Sequence, residues 1–248
     1  MSIKKHLPNI ITLGNMLCGT MATLFAVDED FYKTALMVLI GIGLDFADGF
    51  IARILKVHSE LGKHLDSLAD MVTSGVVPGI VMLQLLANAI DNKAVGYFGI
   101  EQFNKTGSLI PYAGLLLSLA AGYRLAKFTA NAEQSDNFIG LPAPAMSLFV
   151  VFLPLANQYT EVDFFKKLIQ DQHFLLIVTI ALACLMNARL HLFSLKFKTF
   201  SLKENSVKYI FLVLSIALIV LFKIVGIPLI ILLYIILSVL EKLIIKHL

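Results

Sequence analysis

Four aspartates lie close together in an otherwise strongly apolar stretch of the sequence: Asp45, Asp48, Asp66 and Asp70. The first two are three residues apart and the last two are four apart, so each pair would lie on one face of an α-helix. Acidic side chains are costly in a membrane-spanning helix and usually mark a functional site there. The spacing therefore predicts two acidic pairs that do chemistry at or near a membrane.

Divalent cations are the natural partners of converging carboxylates. Carboxylate oxygens are hard ligands that suit magnesium, manganese or calcium, and the sequence offers no His and Cys cluster that would favour a softer metal. Two ions bridged by shared carboxylates would balance the negative charge, and paired ions of this kind stabilise phosphoryl transfer by holding the attacking and leaving oxygens. The alternatives are a polar interface that holds helices together and a pathway for cations.

The residues that follow the first acidic pair fit a phosphorylated ligand. Gly49 comes four residues after Asp45, and Arg53 comes four residues after Gly49, so they continue the same helix face. Gly49 would let a ligand approach the backbone, and Arg53 could bind a phosphate through two parallel hydrogen bonds. Ser59 could add a hydroxyl donor from the following loop. Together these residues predict a pocket for a diphosphate at the membrane surface.

The composition is that of an integral membrane protein. Hydrophobic residues make up 58% of the 248-residue chain and charged residues 15%, whereas soluble domains contain roughly 45–50% apolar and about 25% charged residues. The formal net charge of +3 is too small to indicate a nucleic-acid partner. The partners to expect are membrane lipids and a substrate that meets the acids.

A helix needs about 20 mostly apolar residues to cross a membrane, and the sequence contains eight candidates. They cover roughly residues 9–27, 31–55, 65–90, 109–128, 142–157, 173–193, 207–223 and 226–245. The last two are divided at Gly226 and Pro228, because about 40 apolar residues are too many for one span. We therefore expect an all-α integral membrane fold with eight transmembrane helices.

The distribution of positive charge predicts an orientation. The second and third helices would be antiparallel neighbours joined by a short connection, so the two acidic pairs could face each other. If the N-terminus is cytoplasmic, 14 of the 20 Lys and Arg residues lie on the cytoplasmic side and 6 on the other. Positive residues are enriched in cytoplasmic loops. We therefore expect a multi-pass protein of the cytoplasmic (inner) membrane, with both termini and the acidic site facing the cytoplasm.

The residues around the acids follow the pattern D-x2-D-G-x2-A-R-x8-G-x3-D-x3-D. Its fixed positions are filled by Asp45, Asp48, Gly49, Ala52, Arg53, Gly62, Asp66 and Asp70. The pattern resembles the signature of the CDP-alcohol phosphatidyltransferase family, with no position missing. The resemblance implies a six-helix catalytic core, here residues 1–200, with two additional C-terminal transmembrane helices in residues 201–248. It also implies transfer of a phosphatidyl or similar group from a CDP-linked donor to an alcohol, with release of CMP.

The same resemblance implies a role for the residues of the pattern. Asp45 and Asp66 would bridge two divalent cations, either Mg²⁺ or Mn²⁺. Asp48 would bind one of these cations and Asp70 the other, and Asp70 would also be the general base for the incoming hydroxyl. The CDP moiety and its diphosphate would be contacted by Gly49, Arg53 and Ser59. A homodimer is also implied.

Further stretches of the chain resemble the serine-using branch of this family, the phosphatidylserine synthases. They are residues 7–22, 65–79, 123–131 and 138–145. Two departures from that branch are Lys127, where arginine is expected, and Thr73-Ser74, where Ser-Phe is more usual. The implied reaction joins CDP-diacylglycerol and L-serine to give phosphatidylserine and CMP.

Two cations near the end of the predicted fourth helix are candidates for binding serine. Arg124 or Lys127 could hold the serine carboxylate, because a small zwitterion needs a cationic partner. Both could equally be positive residues that extend to the membrane interface at a helix end.

A polar stripe on the first helix is a candidate for binding the nucleotide. Asn9, Thr12 and Asn15 are spaced three residues apart and could contact the cytosine or the ribose of the donor. The alternative is structural, with a helix cap at Asn9 and hydrogen bonds between helices at the other two residues.

Two other functions fit part of the pattern. One is a different phosphatidyltransferase of the same family, using glycerol 3-phosphate, inositol phosphate or choline. Most of these acceptors are anionic and would need several cations near the fourth helix, where the sequence has few. The other is a membrane cation transporter with the acids as its ion site. Against the transporter, the acids form one cluster, and no discontinuous helices recur at matching positions in two halves of the chain.

Overall fold

The computed structural model describes residues 6–57, 59–90, 107–130, 138–188, 190–192 and 205–246. Within these ranges the chain is almost entirely helical, with one antiparallel pair of two-residue strands, Phe138–Ile139 and His191–Leu192. The α-helices are α1 Leu7–Val27, α2 Phe31–Leu55, α3 Glu60–Asp70, α4 Val77–Ile90, α5 Leu116–Ala130, α6 Ala143–Tyr159, α7 Asp163–Ile169, α8 Gln172–Asn187, α9 Ser206–Phe222 and α10 Gly226–Lys246. The predicted all-α fold is confirmed.

The helices are those of a membrane protein. Each of the eight predicted spans overlaps a helical segment of the structure. Four segments are long and apolar enough to cross a membrane, and α7 with α8, bent by 70° against each other, would make a fifth. The four are Leu7–Val27, Phe31–Leu55, Glu60–Ile90 and Ser206–Glu241. Their outer surfaces carry many exposed Leu, Ile, Val and Phe side chains, which is typical of helices surrounded by lipid.

The last of these four segments is a hairpin of two helices. The ring centroids of Phe211 and Tyr234 lie 5.9 Å apart, whereas on one straight helix these residues would be separated by about 35 Å. The chain reverses at the 3₁₀ turn Lys223–Val225, where Lys223 has a φ of 49°. Gly226 then packs against α9, since an added Cβ would lie 2.6 Å from the Leu218 carbonyl oxygen. The predicted division of this run into two helices is confirmed.

The connection between α2 and α3 brings the acidic pairs together. α2 ends at Lys56, which has a left-handed φ of 52°, a conformation that stops a helix. α3 begins at Ser59, whose Oγ accepts a hydrogen bond of 3.0 Å from the backbone N–H of Gly62. α1, which starts with Pro8 in its first turn, packs along both α2 and α3. Three helices therefore surround the acids.

α3 continues into α4 through a π-helical turn, Met71–Val76, which starts directly after Asp70. Turns of this kind are rare and often lie at functional sites. Two glycines let α1 and α2 approach it closely. A Cβ added at Gly19 would lie 2.9 Å from the Thr73 backbone nitrogen, and one added at Gly41 would lie 2.9 Å from Thr73 Cγ2. These close contacts hold the turn, and the acids before it, against α1 and α2.

The predicted orientation and domain division stay predictions. Several of the Lys and Arg residues that set the orientation lie outside the described residues: Lys4, Lys5, Lys93, Lys105, Arg189, Lys196, Lys198 and Lys203. The predicted boundary at residue 200 also falls outside the described ranges.

Candidate active site

Three of the four predicted acids converge in the structure. Asp45 and Asp48 on α2 and Asp66 on α3 each offer a carboxylate oxygen, and these three oxygens lie within 4.8 Å of one another. The three-residue spacing on α2 puts its two acids on one face, and the reversal after α2 brings α3 alongside them. We call Asp45, Asp48 and Asp66 the carboxylate trio.

The donor set of the trio fits a divalent cation. Its three ligands are hard oxygen donors, the type that Mg²⁺ and Mn²⁺ prefer. In the described part of the chain, a salt bridge joins Lys33 to Asp30, far along α2 from the trio. No Lys or Arg within these ranges forms a salt bridge with the trio. Three carboxylates without a basic partner repel one another, and a bound cation would relieve this repulsion.

Asp48 is anchored by a hydroxyl on a neighbouring helix. Its side chain is buried, and the Thr12 hydroxyl on α1 donates a hydrogen bond to Asp48 Oδ2. Thr12 itself is buried and also contacts the carbonyl oxygen of Pro8 at 3.0 Å. The polar stripe predicted on α1 therefore reaches the acids, and Thr12 contacts one of them directly.

Asp70 adjoins the trio without being part of it. It ends α3, one helical turn after Asp66, and it is not one of the three acids whose oxygens converge within 4.8 Å. Its partly buried carboxylate lies beside the side-chain amide of Asn15 on α1. The predicted roles of Asp70, as ligand of a second cation and as general base, stay predictions.

Asn15 is fully buried, with no exposed side-chain surface. Its Oδ1 accepts a hydrogen bond of 2.8 Å from Thr73 Oγ1 in the π-helical turn. Of the three residues predicted to contact the nucleotide, Asn15 is thus the one most enclosed by protein. The contact stays a prediction.

Gly49 and Arg53 follow Asp45 along α2 at intervals of four residues. A Cβ added at Gly49 would meet no atom within 4 Å, in contrast to the tightly packed glycines beside Thr73. Arg53, one turn further along α2, is exposed. The backbone of α2 is therefore uncovered at Gly49, and the contact of Gly49 and Arg53 with a diphosphate stays a prediction.

Asn9, Ser59 and Gly62 gather where α1 and α3 begin. A Cβ added at Gly62 would lie 2.9 Å from Ser59 Oγ and 3.1 Å from Asn9 Oδ1. Ser59 Oγ accepts a hydrogen bond as the cap of α3, so its hydroxyl hydrogen remains available to a ligand. Asn9 and Ser59 were predicted separately as contacts of the CDP donor, and the structure brings them together.

The two cations predicted to bind serine differ in their surroundings. Arg124 is half-buried on α5, and its Nη1 donates a hydrogen bond of 3.0 Å to the Met186 carbonyl oxygen at the end of α8. Lys127 is exposed. At least one donor of Arg124 therefore stabilises a helix end, where a positive charge is favourable.

A link between α3 and α5 was not predicted from the sequence. Lys63 Nζ donates a hydrogen bond of 2.9 Å to the Thr129 carbonyl oxygen, and Ser67 Oγ lies 2.8 Å from Thr129 Oγ1. Lys63 and Ser67 are four residues apart and so lie on one polar face of α3. This spacing was the sequence feature from which a contact with a neighbouring helix could have been predicted. This link holds the end of α5, with its two cations, beside α3.

Comparisons with known proteins bear on the chemistry of the site. A family model described as CDP-alcohol phosphatidyltransferase matches residues 5–239. The chain is 32% identical over 148 residues to the CDP-diacylglycerol–serine O-phosphatidyltransferase of Bacillus subtilis. The matched stretch covers 60% of this chain and 75% of that protein.

Two more distant relatives have related names. The chain is 30% identical over 155 residues to the CDP-diacylglycerol–serine O-phosphatidyltransferase of Helicobacter pylori strain 26695, covering 61% of this chain and 59% of that protein. It is 26% identical over 160 residues to the archaetidylserine synthase of Methanothermobacter thermautotrophicus, covering 63% of this chain and 61% of that protein. The chain thus matches about three fifths of the length of these two relatives, and all three names refer to serine or to a serine lipid.

Proposed function

Because the chain belongs to the CDP-alcohol phosphatidyltransferase family, we propose that it transfers the phosphatidyl group of CDP-diacylglycerol to the hydroxyl of L-serine. The products are phosphatidylserine and CMP. The observation that carries this proposal is the carboxylate trio, which stands beside open space at Gly49 and has no basic partner among the described residues. The choice of serine rests on the names of the similar proteins.

The trio would hold a divalent cation, Mg²⁺ or Mn²⁺, and Asp70 together with bridging carboxylates would hold a second. When bound, these cations would neutralise the diphosphate of the donor and make CMP a better leaving group. The Thr12 hydroxyl keeps the Asp48 carboxylate in one orientation, so this ligand is held in place before any cation arrives.

Other predicted site residues bind the donor in this proposal. The Arg53 guanidinium pairs with the diphosphate oxygens, for which its paired N–H groups are well suited. Gly49 lets the diphosphate approach the backbone of α2. Ser59 and Asn9, which lie together at the start of α3, contact the CDP moiety. Among the predicted nucleotide contacts, Asn15 has the least support, because it is fully buried.

Asp70 acts as the general base. It takes the proton of the serine hydroxyl while the serine oxygen forms a bond to the phosphorus of the phosphatidyl group. The bond from that phosphorus to the CMP oxygen breaks, and the electron pair leaves with CMP. Arg124 or Lys127, which the link from Lys63 to Thr129 holds beside α3, binds the serine carboxylate.

The proposed setting is the cytoplasmic membrane. The chain would cross it several times, with both termini and the active site on the cytoplasmic side, where the positive residues are concentrated. Residues 1–200 would form the catalytic core and residues 201–248 an added helical hairpin. The whole enzyme would form a homodimer, with CDP-diacylglycerol, L-serine and membrane lipids as its partners.

Measurement of CMP release tests this function. The full-length protein in detergent is incubated with CDP-diacylglycerol, Mn²⁺ or Mg²⁺, and one acceptor at a time: L-serine, glycerol 3-phosphate, inositol phosphate or choline. We expect release of CMP with serine that is at least about tenfold faster than with any other acceptor. Release with glycerol 3-phosphate but not with serine would contradict the acceptor, and no release with any alcohol would contradict the enzymatic function.

The open space at Gly49 leads to a prediction about the donor. Gly49→Ala adds a methyl group where no protein atom lies within 4 Å, and alanine favours the helix over glycine, so we expect the Tm not to fall. If the diphosphate occupies this space, the methyl group will displace it and raise the KM for CDP-diacylglycerol by roughly tenfold. Steady-state kinetics of CMP release at saturating serine would measure this change.

Gly43→Ala is the matched control. Gly43 lies on the same helix and is also free of atoms within 4 Å of an added Cβ, but it precedes the acids. The KM of the Gly43→Ala variant for CDP-diacylglycerol should stay within about twofold of the wild-type value. An unchanged KM in Gly49→Ala as well would mean that the donor does not use the space beside the trio.

A further inference from the structure

Asn15 and Thr73 form a buried polar pair next to Asp70. Both side chains have no exposed surface. Thr73 Oγ1 donates toward two acceptors of the same residue, Asn15 Oδ1 at 2.8 Å and the Asn15 backbone oxygen at 3.2 Å. A buried hydrogen bond between two helices is expensive to break, because each partner would be left unsatisfied. The pair therefore fixes the rotation of the Asn15 amide.

This fixed rotation leaves one strong donor without a partner. Asn15 Nδ2 is buried and makes no hydrogen bond within the described residues. Buried polar atoms are nearly always satisfied in folded proteins, so such an atom calls for an explanation. The Asp70 carboxylate lies beside this amide. A carboxylate can only accept hydrogen bonds, so it is the natural partner of the free N–H groups.

The surroundings prevent the pair from moving away. Gly19 on α1 and Gly41 on α2 both pack against Thr73, at distances that leave no room for a side chain. The Ser147 hydroxyl on α6 contacts the Thr73 backbone oxygen at 3.4 Å. Four helical segments thus meet at Thr73, which stands three residues after Asp70.

We propose that Asn15 is a positioning residue for Asp70: Thr73 holds the amide oxygen of Asn15, and the amide N–H groups direct the Asp70 carboxylate toward the acceptor hydroxyl. This inference rests on the proposed function, since it concerns the base of that reaction. It gives a role to Thr73, one of the three residues at which the chain departs from the serine-using branch of its family. Asn15 would then contribute without touching the nucleotide.

Thr73→Val tests the proposal, because valine keeps the shape of threonine and removes only the hydroxyl. With Asn15 free to rotate, we expect kcat for CMP release to fall by roughly tenfold to a hundredfold, while the KM for CDP-diacylglycerol stays within about twofold. Thr73→Ser, which restores the hydroxyl, should recover most of kcat. Asn15→Leu removes the amide itself and should lower kcat at least as much as Thr73→Val.

Thr179→Val is the matched control. Thr179 is equally buried, but its hydroxyl donates only to the Leu175 carbonyl oxygen within its own helix, at 2.7 Å. The kcat of the Thr179→Val variant should stay within about twofold of the wild-type value. The rise in Tm on adding Mn²⁺ should be unchanged in Thr73→Val, because the carboxylate trio is intact.

The outcomes separate this inference from the function on which it rests. Normal kcat in both Thr73→Val and Asn15→Leu would overturn it, as would a loss in Thr73→Ser as large as in Thr73→Val, which would indicate packing alone. A rise in KM with unchanged kcat would also overturn it and would favour a nucleotide contact. If the wild-type protein releases no CMP with any alcohol, the proposed function itself fails, whatever the variants do.

Discussion

Asp45→Asn is expected to lower kcat for CMP release by roughly a thousandfold, since removing one charged ligand costs about 4 kcal/mol of transition-state stabilisation. Asparagine has nearly the same shape as aspartate, so the side chain can still pack between α2 and α3. What changes is the charge of the trio, whose three oxygens converge within 4.8 Å. The measurement is steady-state CMP release at saturating Mn²⁺, CDP-diacylglycerol and serine.

Thermal unfolding separates loss of the cation from loss of the fold. A ligand that binds only the folded state raises its Tm, so Mn²⁺ should raise the Tm of the wild-type protein. In Asp45→Asn this rise should be largely lost. With a chelator present, the variant should be at least as stable as the wild type, because one of three repelling charges is gone.

Asp163→Asn is the control for this variant. Asp163 is exposed in the first turn of α7, away from the trio, and its replacement should leave both kcat and the Mn²⁺-dependent rise in Tm within the error of measurement. If Asp45→Asn retained more than about a tenth of the wild-type kcat, the trio would not be the site of the catalytic cation.

Asp70→Asn is expected to lower kcat by roughly a hundredfold to ten thousandfold while leaving the donor bound. A general base contributes about this much, and an amide cannot accept the serine proton. Because Asp70 is not part of the carboxylate trio, the trio should still bind Mn²⁺ and CDP-diacylglycerol. The variant should therefore show this large loss of turnover while keeping the part of the Mn²⁺-dependent rise in Tm that comes from the cation held by the trio.

Binding of CDP-diacylglycerol decides between the two roles predicted for Asp70. A direct binding measurement on Asp70→Asn should give a dissociation constant within about fivefold of the wild-type value. If binding disappears together with turnover, Asp70 serves mainly as a metal ligand and the assignment of the base is wrong. Asp45→Asn provides the comparison, because this variant should lose both turnover and binding of CDP-diacylglycerol.

The sequence predicted the helices and the three converging acids, because both leave local signals. Each of the eight apolar runs overlaps a helical segment, and the spacing of Asp45 and Asp48 placed them on one face of α2. The signal for the C-terminal hairpin was equally local, since a run of that length is too long for one membrane crossing. These features depend on residues that are neighbours in the chain.

What the sequence could not predict depends on how distant segments are rotated against each other. Two facing pairs were expected, and the structure brings the carboxylate oxygens of three of these acids within 4.8 Å of one another. The bond between Asn15 and Thr73 joins α1 to a turn 58 residues later in the chain. The bond of Arg124 to Met186 joins helices 62 residues apart. The spacing of polar and apolar residues within a single helix does not indicate which residue of a distant helix it will contact.

The π-helical turn at Met71–Val76 has a consequence for how this chain tolerates insertions and deletions. A π turn holds one more residue than an α turn, so it sets the phase between the half of the helix that carries Asp66 and the half that forms α4. Removal of one residue here would leave a regular α-helix with the two halves in nearly the same phase, whereas insertion of one residue would rotate them by about 100° relative to each other. Since α4 is anchored by burial on nearly all sides, the half that carries the acids would have to turn. The chemistry of the site is thus tied to the residue count of a segment that contains none of its ligands.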